Sequence, residues 1–154
     1  MSSYRPKHLK KSVDFQNFTD KNHTVTSDPD PVYNCIAFAV GIMDKKYWPG
    51  FHPDYYWPKN IPQTESIEAF ISLYESFGYL LVTDSSKGGY VSGWEKIAIY
   101  VGSSGKPTHA AKQVGPNKWA SKLGDWYDIE HTKDAISGVQ YGRPHTFMKR
   151  KIPT

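Results

Sequence analysis

The order of hydrophobic patterns along the chain predicts an α+β domain, with N-terminal helices packed on an antiparallel β-meander. Two stretches of helical character, 35–43 and 64–77, come first. Three apolar runs separated by tight turns, 95–102, 107–114 and 118–124, come after them. The 154 residues suit one domain whose core needs neither disulfide nor metal.

Residues 1–30 are polar with little apolar periodicity and read as a flexible or irregular N-terminal arm. Residues 31–154 then form the single domain. The basic residues Arg5, Lys7, Lys10 and Lys11 of the arm read as solvated. "SDPDPVYNCIAFAVGIM" opens the first helix. Asp28, Asp30 and Asn34 can cap it, and Pro31 suits a first turn. Its 35–43 run is apolar nearly all round, as a central buried helix would be. The next stretch, "KKYWPGFHPDYYWPKNIPQ", holds four prolines and a glycine. It reads as an aromatic loop that packs inward or borders a groove along 47–57.

"TESIEAFISLYESFGYLLVT" is an amphipathic helix capped by Thr64 and stopped by Gly78, with Ile67, Phe70, Ile71, Tyr74 and Phe77 on one stripe. A strand over 79–83 and a Gly/Ser loop to residue 93 follow. "EKIAIYVG", "PTHAAKQV" and "KWASKLG" are the three meander strands. The segment "DWYDIEHTKDAISG" is mixed and reads as holding a short helix near 132–137. "HTFMKRK" closes the chain as a last strand.

The sequence carries 19 Lys and Arg against 15 Asp and Glu, a formal charge of +4. The charges are scattered, so no nucleic-acid partner is expected despite the mild basicity. No run is long enough for a membrane span. The N-terminus "MSSYRPKHLKK" lacks the apolar stretch of a signal peptide. A cytoplasmic location, or export by a signal-peptide-independent route, is expected. The single cysteine cannot form an internal disulfide or a Cys-based zinc site. No cofactor or metal is expected: Glu130–His131 is an isolated pair of ligand types, and no glycine stretch has the spacing of a phosphate-binding loop.

That cysteine is the chemical centre of the sequence. Cys35 lies at the predicted start of a helix, where unpaired N–H groups favour a thiolate. A neighbouring histidine would add a base. His109, on the second meander strand beside the small Ala110 and Ala111, is the best placed; His131 and His145 come next. A third group should orient the imidazole. Asp128 is chosen for its charge, with Ser121 and Asp125 as alternatives. The backbone N–H of Cys35, with a donor at Asn34 or Tyr33, suits an oxyanion. A lone cysteine in an apolar run is also a common core residue.

The stretches "NCIAFA", "EKIAIYVG", "PTHAAKQ", "KWASKLGDWYDIEH" and "YGRPHTFMKR" together resemble an uncharacterised bacterial domain family, over roughly residues 34–150. More distantly, the order of cysteine helix, strand and histidine strand is similar to papain-like cysteine hydrolases of the NlpC/P60 type. That resemblance implies a papain-like fold, with Cys35 as nucleophile and His109 as base. The function expected is a cysteine peptidase or amidase acting on a peptide, protein or cell-wall peptide. By analogy it would serve as a bacterial effector or toxin, with an inhibitor or immunity protein as partner. Two alternatives stand beside it: a non-catalytic binding or accessory domain on the same fold, and a deamidase or acyltransferase using the same residues.

Overall fold

The computed structural model describes residues 5–153. The chain forms β1 (His23–Ser27), α1 (Cys35–Phe38), β2 (Lys46–Tyr47), β3 (Tyr55–Tyr56), α2 (Ile67–Glu75), β4 (Leu80–Leu81), β5 (Trp94–Val101), β6 (Pro107–Gly115), β7 (Lys118–Lys122), β8 (Asp128–His131) and β9 (Arg143–Lys151). Seven strands make one sheet in the order β1-β8-β7-β6-β5-β9-β4. Every pairing in it is antiparallel. β2 and β3 form a separate two-stranded parallel pair.

This corrects the expected fold class. The chain is mostly antiparallel sheet, and its two helices hold only four and nine residues. It is not a pair of N-terminal helices on a meander, and the papain-like architecture read with that arrangement goes with it. The sheet begins within the first 30 residues, because β1 pairs with β8 at its edge.

The apolar run 35–43 does not make the expected central helix. Asn34 caps α1, its side-chain oxygen accepting from the Ala37 N–H at 3.2 Å. The helix is closed after one turn by Gly41, at φ +79°. The Gly41 N–H donates to Phe38 O and the Ile42 N–H to Ala37 O, which is the left-handed glycine ending of a helix. α2 is shorter than 64–77, and its cap is Ser66, not Thr64. Ser66 Oγ accepts from the Ala69 N–H, while Thr64 bonds the Ser66 hydroxyl.

Both faces of the sheet are covered. Ile97, Ile99, Ala110, Ala120 and Met148 face α1 and α2, where Ile36, Phe70 and Leu73 meet them. Ala98, Tyr100, Ala111, Trp119 and Ile129 face the opposite way. There they meet Leu9, Phe15 and Phe18 from the N-terminal segment, and Ala135, Ile136 and Tyr141 from the β8–β9 connection. Two-sided burial explains why β5 reads as the continuous apolar run "IAIYV" instead of an alternation. The β8–β9 connection is a series of turns over 133–137, where a short helix was expected. The expected strand 79–83 is reduced to Leu80–Leu81.

Candidate functional site

Cys35 is the first residue of α1 and is 7% exposed. The small Ala110 and Ala120 of β6 and β7 lie in the cluster beneath it and let α1 seat closely on the sheet. The backbone N–H groups of Ala110, Cys35 and Ile36 are directed at the thiol. They favour a negative charge on sulfur, but burial outweighs them, and the thiol is pushed up to about 11. The sequence argument from a helix terminus anticipated the opposite direction. One turn of helix aligns few peptide dipoles, and a thiol this enclosed loses more by desolvation than they return.

Cys35 lines a cavity of about 350 Å³. Trp48 and Tyr55 from the aromatic loop, Thr108 from β6, and Gln140 and Tyr141 from the β8–β9 connection contribute to its wall. Lys46 and Asp125 line it too, joined as an ion pair at 3.0 Å. The aromatic loop therefore plays both of its expected parts. Trp48 and Trp57 pack on Phe70 of α2, each with ring centroids 5.4 Å away, while Trp48 and Tyr55 also reach the cavity and Phe51 is 92% exposed. Asn34 ties this loop to the cysteine. Its amide nitrogen donates to Tyr47 O at 2.8 Å, and its oxygen accepts from the Tyr47 N–H at 3.1 Å.

His109 is fully buried. Its ring stacks on Tyr141 with centroids 4.1 Å apart and meets Tyr100 edge-on. Its Nε2 lies 2.9 Å from Ser121 Oγ, which lies 2.7 Å from His131 Nε2. His131 Nδ1 in turn lies 2.6 Å from Thr132 O. Burial drives the His109 imidazole well below its ordinary value, with the neighbouring His131 adding to the effect. Burial likewise lowers His131 to about 4. Both rings are neutral near pH 7. The Nδ1 of His109 has no hydrogen-bond partner among the described residues.

Cys35 and His109 meet through intermediaries. Ala110, whose N–H is directed at the thiol, directly follows His109, and Tyr141 both stacks on His109 and lines the cysteine's cavity. No hydrogen bond joins thiol and imidazole directly, and the two belong to opposite sides of β6 by strand alternation.

Asp128 does not orient His109. Its Oδ2 accepts from the Ser27 hydroxyl at 2.6 Å and the Tyr33 hydroxyl at 2.7 Å. Asp128 sits opposite Lys122 in the β7–β8 ladder, and Lys122 Nζ lies 5.1 Å from the centre of the Tyr33 ring. The carboxylate thus anchors the chain just before Cys35. Asp125 is engaged with Lys46, and Ser121 is the residue bonded to His109. Lys122 and Tyr141 were not singled out by sequence reasoning, and Tyr33 only as an oxyanion donor. Two-residue periodicity along β6 and β7 would have separated Ser121 from Lys122. No comparable pattern marks Tyr141, which arrives from an irregular connection. Among the described residues no group of three or more His, Cys, Asp or Glu is placed to hold a metal, and no helix is long and apolar enough to cross a membrane.

A raised thiol makes a direct prediction. Alkylation of Cys35 by iodoacetamide at pH 7.5 should run on the order of tenfold to a hundredfold slower than that of free cysteine, because so little thiolate is present. A mass-spectrometric time course checks this, and a rate equal to that of free cysteine contradicts it.

The sequence model of a family described as a domain of unknown function (DUF7689) matches residues 24–149. No curated protein and no solved structure matches the chain.

Proposed function

We propose that this chain, which belongs to the DUF7689 family, is a cysteine-dependent hydrolase, a peptidase or amidase. The observation that carries this reading is the junction at β6. Buried Cys35, with the backbone N–H next to His109 directed at its thiol, lines a cavity of about 350 Å³ whose wall also includes Tyr141, the residue stacked on that histidine. The site is neutral at rest, so thiolate forms only as the reaction proceeds. The Cys35 sulfur attacks the amide carbonyl carbon, and its proton passes to the amide nitrogen. The carbon–nitrogen bond breaks, and the amine departs with that proton. Water then adds to the thioester; the carbon–sulfur bond breaks, and a proton of that water passes to sulfur. The N–H groups of Cys35 and Ile36 stabilise the charge that develops on sulfur.

The test is release of nitrophenolate from p-nitrophenyl acetate. Cys35→Ala should lower the rate to background. A Cys35→Ala protein that is as fast as wild type overturns the reading.

The raised thiol favours a second reading, a binding domain in which Cys35 is a core residue and the Trp48–Tyr55 wall takes the ligand. Under it, Cys35→Ala leaves every activity intact.

A further inference from the structure

The three hydrogen bonds that run from His109 to Thr132 can be given directions. A carbonyl oxygen only accepts, so His131 Nδ1, 2.6 Å from Thr132 O, carries a proton and donates it. A neutral imidazole has one N–H, so His131 Nε2 is a bare lone pair and accepts from Ser121 Oγ at 2.7 Å. The hydroxyl has then used its only hydrogen. At 2.9 Å from His109 Nε2 it must accept, so Nε2 carries the His109 proton. The remaining atom is His109 Nδ1, a lone pair with no partner among the described residues.

Neutrality of both rings is set by their surroundings. His131 is 3% exposed and His109 is fully buried. His131 faces Ser121 on β7 and lies opposite His23 on β1. His109 faces Ser121, Tyr100 and Tyr141. Among the described residues no carboxylate is paired with either ring, so an imidazolium there would be uncompensated.

We infer that Ser121 and His131 are positioning residues that lock His109 in its Nε2–H form and leave Nδ1 as the ring's unpartnered lone pair. The polarity is imposed from the far end: Thr132 O fixes His131, His131 fixes the hydroxyl, and the hydroxyl fixes His109. The assignment of the protons does not rest on the hydrolase reading.

Long-range ¹H–¹⁵N correlation spectra of histidine-labelled protein at pH 7.5 test it, because they report which ring nitrogen holds the hydrogen. The expected result is Nε2–H for His109 and Nδ1–H for His131. An Nδ1–H signature or a charged ring at His109 overturns the inference, whatever the activity assays give. Ser121→Ala should release the lock, mixing the His109 tautomers. His131→Gln keeps an acceptor for the hydroxyl and should retain the Nε2–H form, whereas His131→Leu should lose it. If His109 keeps a single Nε2–H form in folded Ser121→Ala and His131→Leu proteins, the relay does not set it and the inference fails.

Discussion

Gly142→Ala should destabilise the protein by more than about 4 kcal/mol, lowering its melting temperature by roughly 10 °C or more or preventing soluble expression. A Cβ built on Gly142 would lie 1.8 Å from Val101 O, 2.6 Å from its carbonyl carbon and 2.8 Å from Gly102 Cα. These are backbone atoms and have no rotamer to retreat into. Gly142 also holds φ at +76°, where a side chain is strained in open space as well. The close approach belongs to the β5–β9 pairing, where the register shifts between Ile99 and Tyr100. The consequence reaches the site, because Tyr141 is the next residue and covers His109. Gly41→Ala is the control: its φ is +79°, but nothing lies within 4 Å, so it should cost only about 1 kcal/mol. Thermal melts of the two variants separate steric contact from backbone preference. Equal losses would contradict the account.

Stability should also fall steeply as the pH drops from about 6.5 towards 4. Three histidines are buried and neutral: His23, His109 and His131. Burial holds each below its ordinary value near 6.5, so between the two values the unfolded chain binds protons that the folded chain refuses. Unfolding is then favoured by acid: the penalty is absent above about 6.5 and is complete once the pH is below the folded value. For His131, with a folded value of about 4, the loss is roughly 3 kcal/mol. Burial drives His109 well below its ordinary value too, which adds in the same direction. His23 is held by the Leu9 N–H on Nε2 at 2.7 Å and by Thr19 O on Nδ1 at 2.8 Å, an arrangement only the neutral ring satisfies. Urea midpoints at pH 7.5, 5.5 and 4.5 measure the effect. A midpoint that does not move over this range would show that these rings are not excluded from protonation.

These rings also mark the limits of what the sequence discloses. β5, β6 and β7 are legible because long apolar runs are cut by local turns at 103–106 and 116–117. β8 is not. "DIEH" is half polar, and its inward His131 is satisfied by a serine on β7 and a carbonyl, contacts that no local pattern encodes. β1 alternates correctly in "HTVTS", but it lies in a polar segment and its partner β8 is about a hundred residues away. The 35–43 run is as apolar as a buried helix, yet Gly41 ends it after one turn. Asp128 was preferred to Ser121 as the partner of His109 because a charge is the stronger orienter. Strand alternation outranks that preference: Asp128 is opposite Lys122 and turned towards Tyr33, while Ser121 shares the His109 side of the sheet. Cys35 itself was identified by its rarity and its cap, and the structure adds the cavity in front of it.

The most direct test of the central claim is where an acyl group lands. Brief exposure of the intact protein to p-nitrophenyl acetate, followed by peptide mapping, should find acetyl on Cys35. The label should be absent from Cys35→Ala. Acetyl confined to surface lysines, with Cys35 unmodified and nitrophenolate release unchanged in Cys35→Ala, would contradict a nucleophilic role for this thiol and leave it a residue of the core.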